Sequence, residues 1–190
     1  MSQPVLLKHV LPFIIWYALM MLSAIAIDYL LHIWQLPGAG LFFGYLGTIL
    51  IVLSFAYSVR KRIYRASGSP RRFLLFHEYM AWAGSVMILV HAGIHYHAHL
   101  PRLALIMMLI NVASGLVGKF LLKNSREAFT ENRNALLERG MSEAEVDKLV
   151  FFDAVAVSVM NQWRSIHLPI TLMFAILSIL HILTIFMFGK

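Results

Sequence analysis

Four histidines stand out by type and spacing. His77 and His91 lie fourteen residues apart in one apolar stretch, and His167 and His181 lie fourteen apart in another. Imidazole nitrogens bind metals, and two imidazoles can fill both axial positions of a heme iron. Fourteen helical residues raise a ligand by roughly 21 Å. They also make just under four turns, so each pair falls on nearly one face of its helix. Two such helices side by side would clamp two flat cofactors at two depths, which is how a membrane protein builds a wire for electrons. A heme with both axial positions filled serves electron transfer, because no coordination site is left for a substrate.

Other residues bear on the same chemistry. His95 is one turn beyond His91 and shares its face, so it is a rival ligand; the spacing shared with His167 and His181 favours His91. His97 and His99 are expected in the loop that follows, as loop residues, as metal ligands or as contacts for an outer redox partner. Asp28 and His32, at i and i+4, form either a proton-accepting quinol site or a polar span end. Arg71, Arg72 and Arg164 are placed to pair with heme propionates or with lipid headgroups. Gly84, midway between His77 and His91, lets helices or macrocycles approach closely. Pro169, two residues after His167, removes a backbone donor and bends the start of its helix. The competing reading of the histidines is a hydrogen-bond or proton-relay role in a transporter or anchor. Equal spacing on two spans argues against it.

The elements that must position these groups follow from composition. The chain has 190 residues, 60% hydrophobic and 13% charged, whereas a soluble domain is about half apolar and a quarter charged. This predicts an integral membrane protein forming a single domain over 1–190. Cysteine is absent, which excludes disulfides, thiolate zinc sites and cysteine-held iron–sulfur clusters. No GxGxxG fingerprint is present. The net charge of +7 reads as cationic loops rather than as nucleic-acid binding.

Five apolar segments approach bilayer length, about 20 residues each. The expected fold is therefore all-α, a bundle of five transmembrane helices at about 10–33, 41–59, 73–95, 103–122 and 166–188. Lys8 precedes the first, but no small-residue cleavage site follows it, so the segment reads as a retained span. Residues 34–40 make a tight uncharged turn, and Pro101 with Arg102 marks another. Between the fourth and fifth spans, 123–164 reads as cytoplasmic or interfacial helices. Ser125 is expected to cap one that ends at Gly140, and Ser142 with Glu145 forms a capping box for the next. Its apolar continuation over 150–160 is expected to lie at the membrane interface.

The loop at 60–72 carries Arg60, Lys61, Arg62, Arg65, Arg71 and Arg72 with no acid. The positive-inside rule makes it cytoplasmic. The N-terminus is then cytoplasmic, the C-terminus lies outside, and the multi-pass chain sits in the cell's inner (plasma) membrane. Spans three and five run in the same direction. His77 and His167 fall near the cytoplasmic face, and His91 and His181 near the outer face.

The stretches HEYMAWAGSVMILVH and WRSIHLPIT…LHILTIFMFG resemble the di-heme membrane cytochromes b, and most closely the ferric-reductase-like transmembrane domain shared by NADPH oxidases and related bacterial proteins. The resemblance covers about residues 40–190. In that family the third and fifth spans each carry a histidine pair, matched here by His77/His91 and His167/His181. It implies two bis-histidine heme b groups and electron transfer across the membrane. Family members that reduce iron or oxygen continue into a flavin- and nicotinamide-binding domain, which is not found here after the fifth span. The implied partners are therefore a quinone or quinol, or separate redox subunits of a membrane complex. The alternatives are a ferric or quinone reductase fed by a separate flavoprotein, and the non-redox transporter.

Overall fold

The computed structural model describes residues 11–36, 38–55, 70–94, 99–151 and 162–188. Every element among them is helical. The first helix, α1, spans Leu11–Ile33. It stops where Gln35 enters the left-handed region at φ 53°. There the Gln35 and Leu36 amides reach back to the carbonyls of His32 and Leu31 at 3.1 and 3.0 Å, satisfying groups the helix end would otherwise leave orphaned. Pro37 of the expected turn lies outside the described residues.

Helix α2 covers Ala39–Ser54, 16 residues, starting at Gly38 and closing at Phe55. It begins two residues earlier than the expected 41–59 span, and residues 56–59 lie outside the described set. Helix α3 runs over Pro70–Ile94. Its first residue is proline, whose missing amide proton costs nothing in an opening turn. His95 and His97 fall outside the described residues.

Helix α4 covers His99–Leu116, which corrects the expectation of a turn at Pro101 and Arg102. Pro101 stands in the first helical turn, where no intrahelical donor is lost, so the helix starts four residues before the expected 103. His99 is therefore the exposed first residue of a helix rather than a loop residue. At Val117 the chain widens into a π-helical turn, Val117–Leu122, and passes directly into α5, Lys123–Glu138. Ser125 consequently sits within the first turn of α5 and not ahead of a helix start, because the chain arrives there already helical; its side chain lies outside the described residues. Gly140, at φ 79°, ends α5 as expected.

The capping box is present at α6, Glu143–Leu149. The Glu145 carboxylate accepts from the Ser142 amide at 3.2 Å and from its hydroxyl at 2.9 Å. These bonds hold Glu145 below the usual carboxylate range. The cap is thus complete above that range and is lost as pH falls through the lowered value. The apolar continuation at 152–160 lies outside the described residues. The last helix, α7, spans Trp163–Phe188 with Pro169 inside it.

Among the described residues, four helices are long and apolar enough to cross a membrane, and Ala39–Ser54 is a shorter apolar one. Large apolar side chains point outward along all of them; on α7 Phe186 is 77% exposed and Phe174 is the buried exception. In water such a surface would drive aggregation. It suits a lipid bilayer.

Two seams organise the bundle. Helix α2 packs along α3, with α1 on the other side of α3, and α7 packs along α4. Met20, Ala24 and Leu31 of α1 meet Val86 and Val90 of α3 in the main buried cluster. Helix α3 touches α4, but α7 and α3 make almost no backbone contact with each other. The two helices that carry the histidine pairs are thus held apart by their own partners.

Candidate cofactor site: two facing histidine pairs

The α2–α3 seam sets the first pair. His77 Nδ1 lies 3.0 Å from the Ser54 carbonyl oxygen, and His91 Nδ1 lies 2.9 Å from that of Gly40. Ser54 and Gly40 are themselves fourteen residues apart, so α2 offers acceptors at the interval of the histidines. A carbonyl can only accept, so each Nδ1 carries the proton and the basic lone pair of each ring is on Nε2, the nitrogen a metal would take. Halfway between them the helices touch backbone to backbone. A Cβ on Gly84 would stand 3.0 Å from the Gly47 oxygen, and one on Gly47 would stand 2.9 Å from the Gly84 oxygen. Gly84 thus serves the approach of helices. Gly44 completes the seam against the His91 ring, where a Cβ would stand 2.8 Å from Nδ1.

The α4–α7 seam sets the second pair. Ser114 Oγ lies 3.1 Å from His167 Nδ1. Trp163, one turn earlier, stacks on the His167 ring at 4.6 Å between centroids and 15° between planes. Gly115 lies beneath the ring, with Cε1 3.9 Å from where its Cβ would be. Thr171 Oγ1 stands 2.7 Å from Asn111 Oδ1 and 2.9 Å from the His167 carbonyl. His181 has no hydrogen-bond partner among the described residues.

Across the space between α3 and α7 the histidines influence each other electrostatically in pairs. His77 is in electrostatic reach of His167, and His91 of His181. The pairing runs between the helices at two levels. Helix α3 brings His77 and His91 to one side, and α7 brings His167 and His181 to the other. No group of three or more His, Cys, Asp or Glu side chains gathers among the described residues in the manner of a protein-held metal ion. The donor set is two imidazoles per level, which fits a planar metal cofactor that supplies its own remaining ligands.

The secondary candidates divide. Asp28 turns towards α3, its carboxylate 3.4 Å from where a Cβ on Gly93 would stand, while His32 is exposed at the end of α1. Arg72 is exposed at the start of α3; the side chains of Arg71 and Arg164 lie outside the described residues.

Sequence reasoning missed an ion pair beside His77. Lys119 Nζ, carried by the π-helical turn, is 2.8 Å from Glu78 Oε2, a close approach whose angle falls short of a hydrogen bond. The ammonium also sits over the rings of Trp16, Tyr79 and Phe120 at 5.1, 5.6 and 5.4 Å. Lys119→Met with Glu78 in place strands a carboxylate in apolar surroundings. The expected cost is about 2–3 kcal/mol, below the range for a fully buried pair. The double variant Lys119→Met/Glu78→Leu should recover most of the lost melting temperature in detergent.

Comparison with protein-family models, with curated proteins and with solved structures finds no match. The class defined by fold and site is therefore structural: a helical bundle of membrane type with two levels of facing histidines.

Proposed function

We propose that the chain is a di-heme b-type cytochrome subunit of a membrane oxidoreductase complex, moving electrons between the two faces of the bilayer. The observation that carries this reading is the facing of His77 with His167 and of His91 with His181 across helices that do not pack on each other. His77 and His167 would hold one heme, and His91 and His181 the other. Each heme, when bound, would supply an iron able to alternate between ferric and ferrous states.

The protein's own contribution is orientation and electronics. The carbonyls of Ser54 and Gly40 fix the tautomer of His77 and His91 and raise their basicity as ligands. Ser114 and Trp163 fix the His167 ring. Helix α2 would serve as the second of five spans, and the basic 60–72 segment supports a cytoplasmic His77/His167 level. Electrons would be exchanged with the quinone pool or with redox subunits at the two surfaces.

The test is spectroscopic. The chain purified in mild detergent should give low-spin b-type bands on dithionite reduction and two hemes per chain by pyridine hemochrome. A folded but colourless protein overturns the reading and leaves the histidines as a proton relay.

A further inference from the structure

The four histidines are not held alike. His77, His91 and His167 each have a partner for Nδ1. His181 has none among the described residues, and its electrostatic neighbour is His91. The register of α7 on α4 accounts for this. Thr171 meets Asn111, His167 meets Ser114, and Trp163 meets Gly118, where a Cβ would stand 2.8 Å from the indole. These contacts define antiparallel helices in steady register. Fourteen residues from Ser114 towards the start of α4, and fourteen from His167 towards the end of α7, Leu100 comes opposite His181. Leu100 has no polar side-chain atom, and Pro101 beside it has no amide proton. A hydroxyl stands opposite His167, and the same register carried forward offers His181 a hydrocarbon.

We infer that His181 is an exchangeable ligand, and that a small uncharged diatomic molecule can take its place at the His91/His181 level. The inference rests on the heme reading. His181 Nε2 gives up its bond to iron, and a lone pair of the incoming molecule forms the replacing bond; no electron and no proton is transferred. Hydrogen bonds to the far nitrogen of a ligating imidazole contribute about 10–100-fold in metal affinity. Without such a partner among the described residues, His181 is released more readily than the other three by a factor of that order. The chain then has a ligand-binding site at one level and a saturated relay at the other.

The probe is carbon monoxide added to the dithionite-reduced purified chain. The difference spectrum should account for one of the two hemes. His91→Ala should abolish that signal while the other heme is retained. Leu100→Ser, which sets a hydroxyl opposite His181 as Ser114 stands opposite His167, should keep both hemes and slow carbon monoxide binding about tenfold. Binding to neither heme, to both alike, or at an unchanged rate in Leu100→Ser overturns the inference. A hemochrome count of zero overturns the heme reading itself, so the two failures are distinct.

Discussion

Alanine at His77 and alanine at His167 should yield the same product, a folded chain that keeps one heme of two with the same residual spectrum. His91→Ala and His181→Ala should yield the complementary product. The expectation comes from pairing between helices, His77 with His167 and His91 with His181. Pairs of substitutions sharpen it. His77→Ala/His167→Ala removes two ligands of one cofactor and should still leave one heme per chain. His77→Ala/His91→Ala removes one ligand from each level and should leave none. Hemochrome counts on these variants decide the matter, and retention of both hemes in every single variant sinks the assignment. The effect is large because a bis-histidine site that loses one ligand loses half its protein bonds to the metal.

The second large effect is expected far from any metal ligand. Gly84 stands at the closest approach of α2 and α3, where a Cβ would lie 2.8 Å from Ile51 Cγ1, 3.0 Å from the Gly47 oxygen and 3.2 Å from the Ile51 amide nitrogen. Two of those three atoms are backbone, so no rotamer change relieves the clash and the helices must part. Gly84→Ala should cost about 1–3 kcal/mol, and Gly84→Leu more. The functional consequence should exceed the loss of stability. The acceptors for His77 and His91 are both on α2, at Ser54 and Gly40. Separating α2 from α3 therefore weakens both anchors at once, and both hemes should be lost on dilution. Gly44→Ala, whose Cβ would have the His91 ring as its nearest neighbour, should disturb the His91/His181 level alone. Gly115→Ala is the control, because its Cβ would make an ordinary 3.9 Å contact with His167.

The helices were legible in the sequence wherever one local rule decided them. The apolar run at 11–33 and the caps at Gly140 and Ser142 lie within a residue or so of expectation. Gly84 was legible as a close approach, since a small residue between two candidate ligands has few other uses. What stayed hidden was non-local. Nothing in the α3 sequence says that its histidine rings bond to carbonyls of α2, because every residue offers a carbonyl. A signal for that seam did exist in Gly40, Gly44 and Gly47, a small-residue stripe of the kind that lets helices close on one another. Pro101 was misleading because proline ends helices and also begins them, and only the position of the preceding turn distinguishes the two. Lys119 and Glu78 are 41 residues apart in sequence. Read singly, each is a charge near a span end, and only the fold makes them an ion pair.

The π-helical turn at Val117–Leu122 also bears on how this chain tolerates insertions and deletions. Backbone bonded from i to i+5 holds one residue more than an α-helix needs to close the same turn. A gene lacking one codon here would still encode an unbroken helix. Because the turn that closes is the same one, the helix downstream would keep roughly its bearing relative to α4, whereas a one-residue deletion in ordinary α-helix turns it by about 100°, the angle one residue subtends. The deletion would leave the hydroxyl of Ser114 on its side of the bundle and α5 close to its present bearing. Elsewhere in α4 the same lesion would carry Ser114 or Asn111 away from α7. This turn is therefore a place in the bundle where the loss of one residue can be absorbed without re-aiming α5 or the histidine-bearing α7.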